Sequence, residues 1–386
     1  MKILFLDSPA FGKQDMIDAL KECNFEVDLF FHKAYDTRVD PDYDAAFDAA
    51  VSGTSYEFVF SFNYFPILSN CCKRHNLKYV SYVYDCPLIS LYSYTVTYPG
   101  NYIFLFDKTI YQELHDGGIS TVHYLPLAAN PKRICTMSCD TTLKKRLNSE
   151  ISFVGSLYNT EHLLYDRLVK NIPPFTKGYL DGIMAAQQRI YGSFFVEQLL
   201  TSDILADCTK AAPYKPLPDG IETPAYVYAN YFIARKLAEK DRVELLSILS
   251  RTHEVKLYTN SPTPQLPKVQ NMGTVDHYSQ MPLVFQHTRI NLNISLRSIQ
   301  SGIPLRAFDI MGCGGFLLTN FQADFLDFFT PGEDFACYSS FDEANQLCGY
   351  YLSHESERNQ IAANGLGKIR DAHTYVHRVN EIISYL

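Results

Sequence analysis

Arg306 occupies an unusual position for a cation, the first turn of a predicted helix. An apolar strand (290–294), a polar loop and a short helix opened by Pro304 are followed by a second apolar strand (316–319). The N–H groups at such a helix N-terminus bind anions, whereas a cation there opposes the helix dipole. The pattern therefore predicts an anion beside Arg306, with phosphate as the usual one.

Asp309 follows Arg306 by three residues and hence lies on the same face of that helix. Two interpretations are open. In the first, the two residues form an exposed ion pair on a helix that only packs. In the second, Arg306 binds a diphosphate and Asp309 accepts hydrogen bonds from ribose hydroxyls, as an acidic residue does in dinucleotide-binding folds. The glycine-flanked strand–helix–strand context favours the second interpretation.

A second candidate phosphate turn is formed by Gly155 and Ser156. These residues lie between a predicted strand (151–154) and a helix expected to begin near Thr160. Their backbone N–H groups could bind a phosphate. The alternative is that the glycine only allows the backbone conformation of a tight turn. The corresponding turn of the N-terminal half contains Gly12 but no G-x-G-x-x-G sequence, which argues against a dinucleotide-dependent oxidoreductase.

Asp85 and His123 are the candidate acid/base residues. Both fall at the ends of predicted strands (79–84 and 122–125) in the N-terminal half. Ligands of parallel α/β sheets bind at the carboxyl ends of the strands, so we expect a general base there, Asp85 first and His123 second. The alternatives are a turn-forming aspartate before Pro87 and a half-buried strand histidine.

Composition narrows the class of protein. A chain of 386 residues with 47% hydrophobic content is expected to form two domains. A formal charge of −8 with scattered basic residues argues against a nucleic-acid partner. No apolar run approaches the roughly 18 residues of a membrane span, and the N-terminus is typical of a strand and turn rather than a signal peptide. We therefore expect a cytoplasmic protein, with reduced thiols among its ten cysteines.

Metal-binding motifs are weak in this sequence. Cys135 and Cys139 have the only ligand-like cysteine spacing, and neither a second pair nor a histidine cluster accompanies them. The carboxylates at positions 40, 42 and 44 lie in a hydrophilic loop rather than at the end of a strand. We expect no metal and no cofactor.

The alternation of apolar strands and helices predicts an α/β protein with parallel sheets covered by helices on both faces. We place an N-terminal domain at 1–145 and a C-terminal domain at 146–366. Residues near 175–223, with a predicted helix at 187–206 and a proline-rich loop, are interpreted as an insertion in the second domain. The final segment, 367–386, is expected to be helical.

Several segments resemble the CgeB-type (spore maturation protein-like) glycosyltransferases of the GT-B class. They are SGIPLRAFDIMGCGGFLLTN, FLDFFTPGEDFACYSS, FSFNYFP, YVYDCP, LPLAAN, SFVGSLYN and MPLVFQHTRINLNISLRS. The resemblance implies two Rossmann-like domains facing a cleft, with a nucleotide-sugar donor held by the C-terminal domain and the acceptor approached from the N-terminal one. It also implies a C-terminal helix that crosses back to the first domain, and no obligatory metal.

The resemblance also implies roles for single residues. Asp309 matches the position of a ribose-binding glutamate, and Ser301 stands where a second carboxylate is usual. Arg306 and Arg297 then supply positive charge to the diphosphate. Hydroxyl and backbone groups for the donor sugar and phosphates are expected from Ser301, Gly302 and Ile303. The base-binding turn corresponds to Met272, Gly273, Thr274 and Val275.

These features predict the transfer of a hexose from a nucleoside-diphosphate sugar, UDP-linked, to a hydroxyl group of a glycan or protein. The chain has 28 Tyr and 26 Phe, and the tyrosine-rich stretch 79–102 suits either sugar faces or a hydrated core. Two alternatives remain open at the level of sequence: a sugar-nucleotide epimerase of the same architecture, and a non-catalytic two-lobed protein that binds a nucleotide-sugar.

Overall fold

The chain forms two compact units. The computed structural model describes residues 1–134, 136–159 and 164–386. One unit contains 1–128, 215–222 and 373–386, and the other contains 129–214 and 223–372. The sequence prediction placed this division at 145/146. Cys135 of the predicted cysteine pair and the predicted helix start near Thr160 lie outside the described residues.

The first unit is built on a parallel sheet of six strands in the order β2-β1-β3-β4-β5-β6. The strands are β1 (Lys2–Leu6), β2 (Glu26–Phe30), β3 (Val59–Phe62), β4 (Tyr79–Val83), β5 (Asn101–Leu105) and β6 (Val122–Tyr124). Every residue of β3 and β4 is buried, as expected for parallel strands covered on both faces. Leu4 of β1 pairs with Asp28 on one side and Val59 on the other.

Helices follow the strands of the first unit, and two of them begin after an aspartate that accepts a free N–H group. They are α1 (Lys13–Glu22), α2 (Pro41–Val51), α3 (Pro66–Arg74) and α4 (Lys108–Asp116), with 3₁₀ turns at Ile89–Tyr92 and Tyr94–Thr97. Asp40 accepts the Tyr43 N–H before α2, and Asp107 accepts the Ile110 N–H before α4. These caps start each helix directly after the loop that leaves a strand.

The second unit is also built on a parallel sheet of six strands, in the order β12-β11-β10-β7-β8-β9. The strands are β7 (Ser149–Val154), β8 (Val255–Tyr258), β9 (Gln270–Asn271), β10 (Thr288–Asn293), β11 (Leu317–Asn320) and β12 (Ala336–Tyr338). Its core includes Phe153, Leu257 and Leu292. The central pair is β7 and β10, in which Ile151 lies opposite Ile290.

The helices of the second unit cover this sheet and form the insertion. They are α5 (Pro131–Ile134), α6 (Thr141–Leu147), α7 (Leu164–Val169), α8 (Pro174–Gln188), α9 (Ser202–Ala211), α10 (Pro224–Val227), α11 (Ala234–Leu249), α12 (Met281–His287), α13 (Leu305–Gly312), α14 (Phe341–Ser353) and α15 (Glu355–Ala372). A π-helical turn at Tyr228–Ile233 joins α10 to α11, and 3₁₀ turns occur at Glu197–Leu199 and Ala323–Asp327.

The predicted helix at 187–206 is wrong. The α8 helix ends at Gln188, and α9 does not begin until Ser202. The Gln187 side chain folds back onto the following turn, where it donates to the Ser193 carbonyl oxygen at 2.8 Å and accepts the Phe195 N–H at 3.1 Å. Gly192 has a φ of 78°, which a helix does not allow. A side chain from the end of one helix therefore closes the turn that separates it from the next.

Part of the insertion belongs to the first unit. Within 215–222, Asp219 accepts hydrogen bonds from Arg38 Nη1 at 3.1 Å and from the Ser93 hydroxyl. The Ile221 N–H also donates to the Tyr92 carbonyl oxygen at 2.7 Å. A half-buried acid and backbone pairing thus attach this proline-rich segment to the first unit.

The last helix, α16 (Tyr375–Tyr385), also belongs to the first unit. It packs against α1, and Arg378 donates to the carbonyl oxygens of Pro126 at 2.7 Å and Leu127 at 3.2 Å. Thr374 and His377 form a capping box at its start. Among the helices in the described ranges, none has the length and apolarity needed to cross a bilayer.

Candidate functional site

The strand order of the second sheet reverses between β7 and β10. Loops that leave two such neighbouring strands run to opposite faces and leave a crevice at their carboxyl ends, which is where parallel α/β sheets bind ligands. Gly155 follows β7, and Ile294 follows β10. The loop after β10 then leads into α13, which carries Arg306 and Asp309.

The turn after β7 has a fixed shape. The Gly155 N–H donates to the Tyr258 carbonyl oxygen at 3.0 Å, and the Leu157 N–H donates to the Ser261 hydroxyl at 2.9 Å. The Ser156 hydroxyl accepts the Tyr158 N–H at 2.9 Å. Gly155 has a φ of 153° and Tyr158 a φ of 58°, so both ends of the turn have a backbone conformation that L-residues rarely adopt. Strain of this kind persists where the surroundings enforce it, and it occurs most often at functional sites.

Arg306 lies directly against this turn. A Cβ atom added to Gly155 would be 2.8 Å from Arg306 Nη2, and the guanidinium carbon is 5.3 Å from the centre of the Phe153 ring. The Nε atom of Arg306 is buried and has no hydrogen-bond partner among the described residues. Gly155 therefore leaves room for the Arg306 guanidinium group, which forms no ion pair with any of the described residues.

Burial is the main influence on the charge of Arg306. Burial and, to a smaller extent, the neighbouring positive charge of Arg242 lower the pKa of Arg306 to about 10, although Tyr158 and Asp309 act in the opposite direction. The group remains a cation at neutral pH. Its charge is nevertheless less stable in this environment than in water, which favours a ligand that brings negative charge.

Arg242, on α11, was not identified from the sequence. Its side chain is buried and bridges the two loops of the crevice: Nη1 donates to the Ser156 carbonyl oxygen and Nη2 donates to the Ile294 carbonyl oxygen at 2.8 Å. The guanidinium carbon is 4.7 Å from the centre of the Tyr158 ring. A charged residue at helical spacing from the buried Ala238 and Leu245 was the signal that could have revealed it.

The loop between β10 and α13 is held by the residues that follow β11. The Ser301 carbonyl oxygen accepts the Asp324 N–H at 3.0 Å. Gln322, also missed by sequence reasoning, donates to the carbonyl oxygens of Ile299 at 3.1 Å and Gly302 at 3.2 Å. Ser301, Gly302 and Ile303 are all buried. These contacts fix the position from which α13 begins.

Arg297 does not lie with Arg306. Its Nε donates to Asp241 at 2.6 Å, and Nη1 and Nη2 donate to the carbonyl oxygens of Ile190 at 3.0 Å and Gln188 at 3.2 Å. The guanidinium group also stacks on Tyr191, 3.9 Å from the ring centre. Because all three nitrogens have protein acceptors, Arg297 joins α8, α11 and the β10 loop, and the structure gives it no role beside the Gly155 turn.

The residues predicted to bind the ribose and the base both belong to the second unit. Asp309 is half-buried on α13, one turn beyond Arg306. Met272, Gly273, Thr274 and Val275 follow β9, and the Gly273 N–H donates to the Asn271 side chain at 3.0 Å. Since β7 and β9 are both parallel to β8, the Gly155 turn and this second turn lie at the same edge of the sheet.

Asp85 lies at the carboxyl end of β4 in the first unit and is held by Asn63. The Asn63 amide donates to the Asp85 carboxylate at 2.8 Å, and its carbonyl oxygen accepts the Asp85 N–H at 3.0 Å. Asp85 is exposed at the surface, yet the protein around its carboxylate partly desolvates it and raises its pKa, and the hydrogen bond from Asn63 partly opposes this. A fixed carboxylate with a raised pKa suits a general base.

His123 occupies the middle of β6 rather than the end of a strand. Its ring centre is 4.5 Å from that of Tyr385 and 5.4 Å from that of Phe104. Burial lowers the pKa of His123, and His115 lowers it further. These contacts favour the alternative of a half-buried strand histidine that packs against α16.

Replacing Gly155 with alanine is expected to destabilise the protein by about 1–2 kcal/mol. The added Cβ would displace Arg306 Nη2, and the φ of 153° is strained for alanine. Urea unfolding measures the loss. Gly178→Ala is the control, because a Cβ there meets nothing within 4 Å; equal losses in both variants contradict the role of Gly155.

Comparison with known proteins identifies the class of domain. Residues 235–384, which include α11, α13 and α16, match the family described as glycosyl transferase-like. No curated protein matches the chain. Over those residues the chain is similar to glycosyltransferases.

Solved structures show the fold of this chain. Sucrose-phosphate synthase (tll1590) from Thermosynechococcus elongatus superposes with a TM-score of 0.57 and 9% identity, over 100% of this chain and 98% of that one. HepE of Anabaena in complex with UDP and glucose gives 0.53 and 12% identity over 100% of both chains. A glycosyltransferase from Rickettsia africae gives 0.53 and 10% over 99% of this chain and 97% of that one. The chain has the GT-B fold, as the sequence predicted.

Proposed function

We propose that this protein transfers a hexose from a UDP-hexose to a hydroxyl group of a glycan or protein, without a metal ion. We also propose that it is a glycosyltransferase of the CgeB type. The observation that carries the proposal is Arg306, whose half-buried side chain lies against the Gly155 turn and whose Nε atom is buried without a hydrogen-bond partner among the described residues. The similarly folded HepE of Anabaena has been solved in complex with UDP-glucose, which supports a UDP-linked donor.

The diphosphate binds where the positive charge is concentrated. Arg306 donates to its oxygens, and the first turn of α13 adds N–H groups and the positive end of the helix dipole. Gly155 and Ser156 contribute the backbone of the β7 turn. Arg297, the second cation that the sequence prediction gave to the diphosphate, is occupied by Asp241, and the nearby charge of Arg242 adds to that of Arg306 without contacting the ligand.

The nucleoside and the sugar extend from this point along the same edge of the sheet. Asp309, one turn from Arg306, accepts hydrogen bonds from the ribose hydroxyls. The turn from Met272 to Val275 contacts the base through its backbone. Ser301, Gly302 and Ile303 lie at the start of α13 and shape the sugar end of the site.

Catalysis follows from charge development on the leaving group. The bond between the anomeric carbon and the diphosphate oxygen breaks, and its electron pair stays on the diphosphate as the acceptor oxygen forms the new bond. Positive groups already in place at the diphosphate stabilise this charge without reorganisation. Two guanidinium groups supply here the charge that a divalent cation supplies elsewhere.

Replacing Asp85 with asparagine is expected to lower kcat about 100-fold with UDP affinity unchanged, if the transfer inverts the anomeric carbon and Asp85 takes the acceptor proton. A base is lost when it is protonated, so wild-type activity should fall as the pH decreases. Because the pKa of Asp85 is raised, this fall should occur at a pH higher than roughly 4, the ordinary pKa of an aspartate. UDP release from UDP-sugars across pH measures both effects. His123→Gln is the control and should retain activity. An unchanged kcat in Asp85→Asn contradicts the role of Asp85 as the base.

A thermal-shift panel of nucleoside diphosphates and their sugars tests the proposed function. We expect UDP and UDP-hexoses to raise the melting temperature in the presence of EDTA, and ADP and GDP to have smaller effects. A protein that none of these ligands stabilises, with or without added Mg²⁺, contradicts the proposal.

A further inference from the structure

Arg242 is too deeply placed to be an ordinary phosphate ligand. Only 4% of its surface is exposed, and two of its three guanidinium nitrogens donate to the carbonyl oxygens of Ser156 and Ile294. Its Nε atom is buried and has no hydrogen-bond partner within the described part of the chain. A residue that only bridged two carbonyl groups would not need a full positive charge.

The charge of Arg242 adds to that of Arg306. Both guanidinium groups pack on the Phe153 ring, with their carbon atoms 5.1 and 5.3 Å from its centre. The two like charges repel each other, since Arg242 lowers the pKa of Arg306, and burial makes such repulsion stronger than in water. Arg242 has Asp241 as a neighbour in sequence, but the contacting oxygen of that carboxylate accepts from Arg297 at 2.6 Å. The pair therefore favours a ligand with more than one negative charge.

We propose that Arg242 is a positioning residue that makes this site select a diphosphate over a monophosphate. It holds the loops that follow β7 and β10 at the width of the diphosphate, and its charge lies behind Arg306 and raises the positive potential there. This inference rests on the proposed function, which it deepens by naming the residue that reads the charge of the nucleotide.

Two substitutions separate charge from geometry. Arg242→Lys keeps the positive charge but cannot hold both carbonyl groups in the planar geometry of a guanidinium group. Arg242→Gln keeps a hydrogen-bond donor and removes the charge. Lys240→Gln is the matched control, because it removes one positive charge from an exposed position of the same helix.

Calorimetric titration of each variant with UDP, UMP and inorganic pyrophosphate in EDTA tests the inference. We expect Arg242→Gln to lose about 30-fold in UDP affinity and only a few-fold in UMP affinity, so that the preference for UDP collapses. Arg242→Lys and Lys240→Gln should keep most of the preference. Pyrophosphate should follow UDP.

The contrary results are distinct. Equal losses of UDP and UMP affinity in both Arg242 variants show that Arg242 has a purely structural role, and they overturn the inference. A preference for UDP over UMP that survives Arg242→Gln overturns it as well. If Arg242→Lys is the only variant that folds, loss of its preference for UDP over UMP overturns the inference. If the wild-type protein binds pyrophosphate but no uridine nucleotide, the proposed function is contradicted instead. The charge selectivity is then measured by comparing the affinities for pyrophosphate and phosphate in the same variants.

Discussion

Replacing Arg306 with alanine is expected to weaken UDP binding by about 10²- to 10³-fold, because a buried charged contact to the diphosphate is lost. The same variant should be as stable as the wild type, or more stable, when no ligand is present. In the free protein the Arg306 guanidinium group is desolvated, has an unpartnered Nε atom and is repelled by Arg242. Removing it therefore relieves a cost of folding while it removes the main contact of binding.

Calorimetric titration with UDP and urea unfolding of ligand-free protein measure the two effects of Arg306→Ala. Arg306→Met keeps the side-chain length without the charge and should behave like alanine in binding. Arg289→Ala is the control, because Arg289 is an exposed cation on β10. Unchanged UDP affinity in Arg306→Ala contradicts the donor site. A large loss of stability shows instead that Arg306 serves the fold.

Replacing Asp241 with alanine is expected to destabilise the protein by about 3–5 kcal/mol, the effect of removing one partner from a buried ion pair. Asp241 and Arg297 are 2.6 Å apart and their side chains are 2% and 6% exposed. Without Asp241, the Arg297 charge remains buried with only carbonyl acceptors. Urea unfolding of the ligand-free protein measures the loss.

Glu244→Ala is the matched control for Asp241, because it removes an exposed acid from the same helix. The double variant Asp241→Leu with Arg297→Met should recover much of the stability, since a well-packed apolar pair replaces a buried ion pair at little cost. A small effect of Asp241→Ala, below about 1 kcal/mol, contradicts the structural role of the Arg297 ion pair.

Local patterns in the sequence were sufficient for most of the sheet and for the start of α13. The strand predicted at 151–154 forms the end of β7 (Ser149–Val154), because a short apolar run precedes the glycine turn there. Pro304 was expected to open a helix, and it is the N-cap residue of α13. Both signals depend only on neighbours in sequence, where the side-chain period and the properties of proline act directly.

Contacts between distant segments explain what could not be predicted. Arg242 donates to carbonyl groups 86 and 52 residues away, and no local pattern specifies such acceptors. Arg297 lies in a polar loop and therefore suited a phosphate ligand, but its acid partner is 56 residues away on α11. A buried arginine shows its role only once the fold has placed its partner.

The acid/base candidates show the same limit within one sheet. Asp85 and His123 both lie near strand ends in the sequence, and the structure separates them by their surroundings. Asn63 holds Asp85 at the end of β4, whereas Tyr385, from the last helix, packs on His123. The contact with Tyr385 joins residues that are far apart in the chain, so the sequence alone kept His123 as the second candidate.

The central claim is that guanidinium groups, and Arg306 above all, bind and stabilise the departing UDP without a metal ion. The most direct test is the rate of UDP release from UDP-glucose, UDP-galactose and UDP-N-acetylglucosamine by EDTA-treated protein, wild type against Arg306→Ala. We expect release from at least one donor that EDTA does not slow and that Arg306→Ala lowers by about 100-fold or more. Release that requires added Mg²⁺ or Mn²⁺, or that continues unchanged in Arg306→Ala, contradicts the claim.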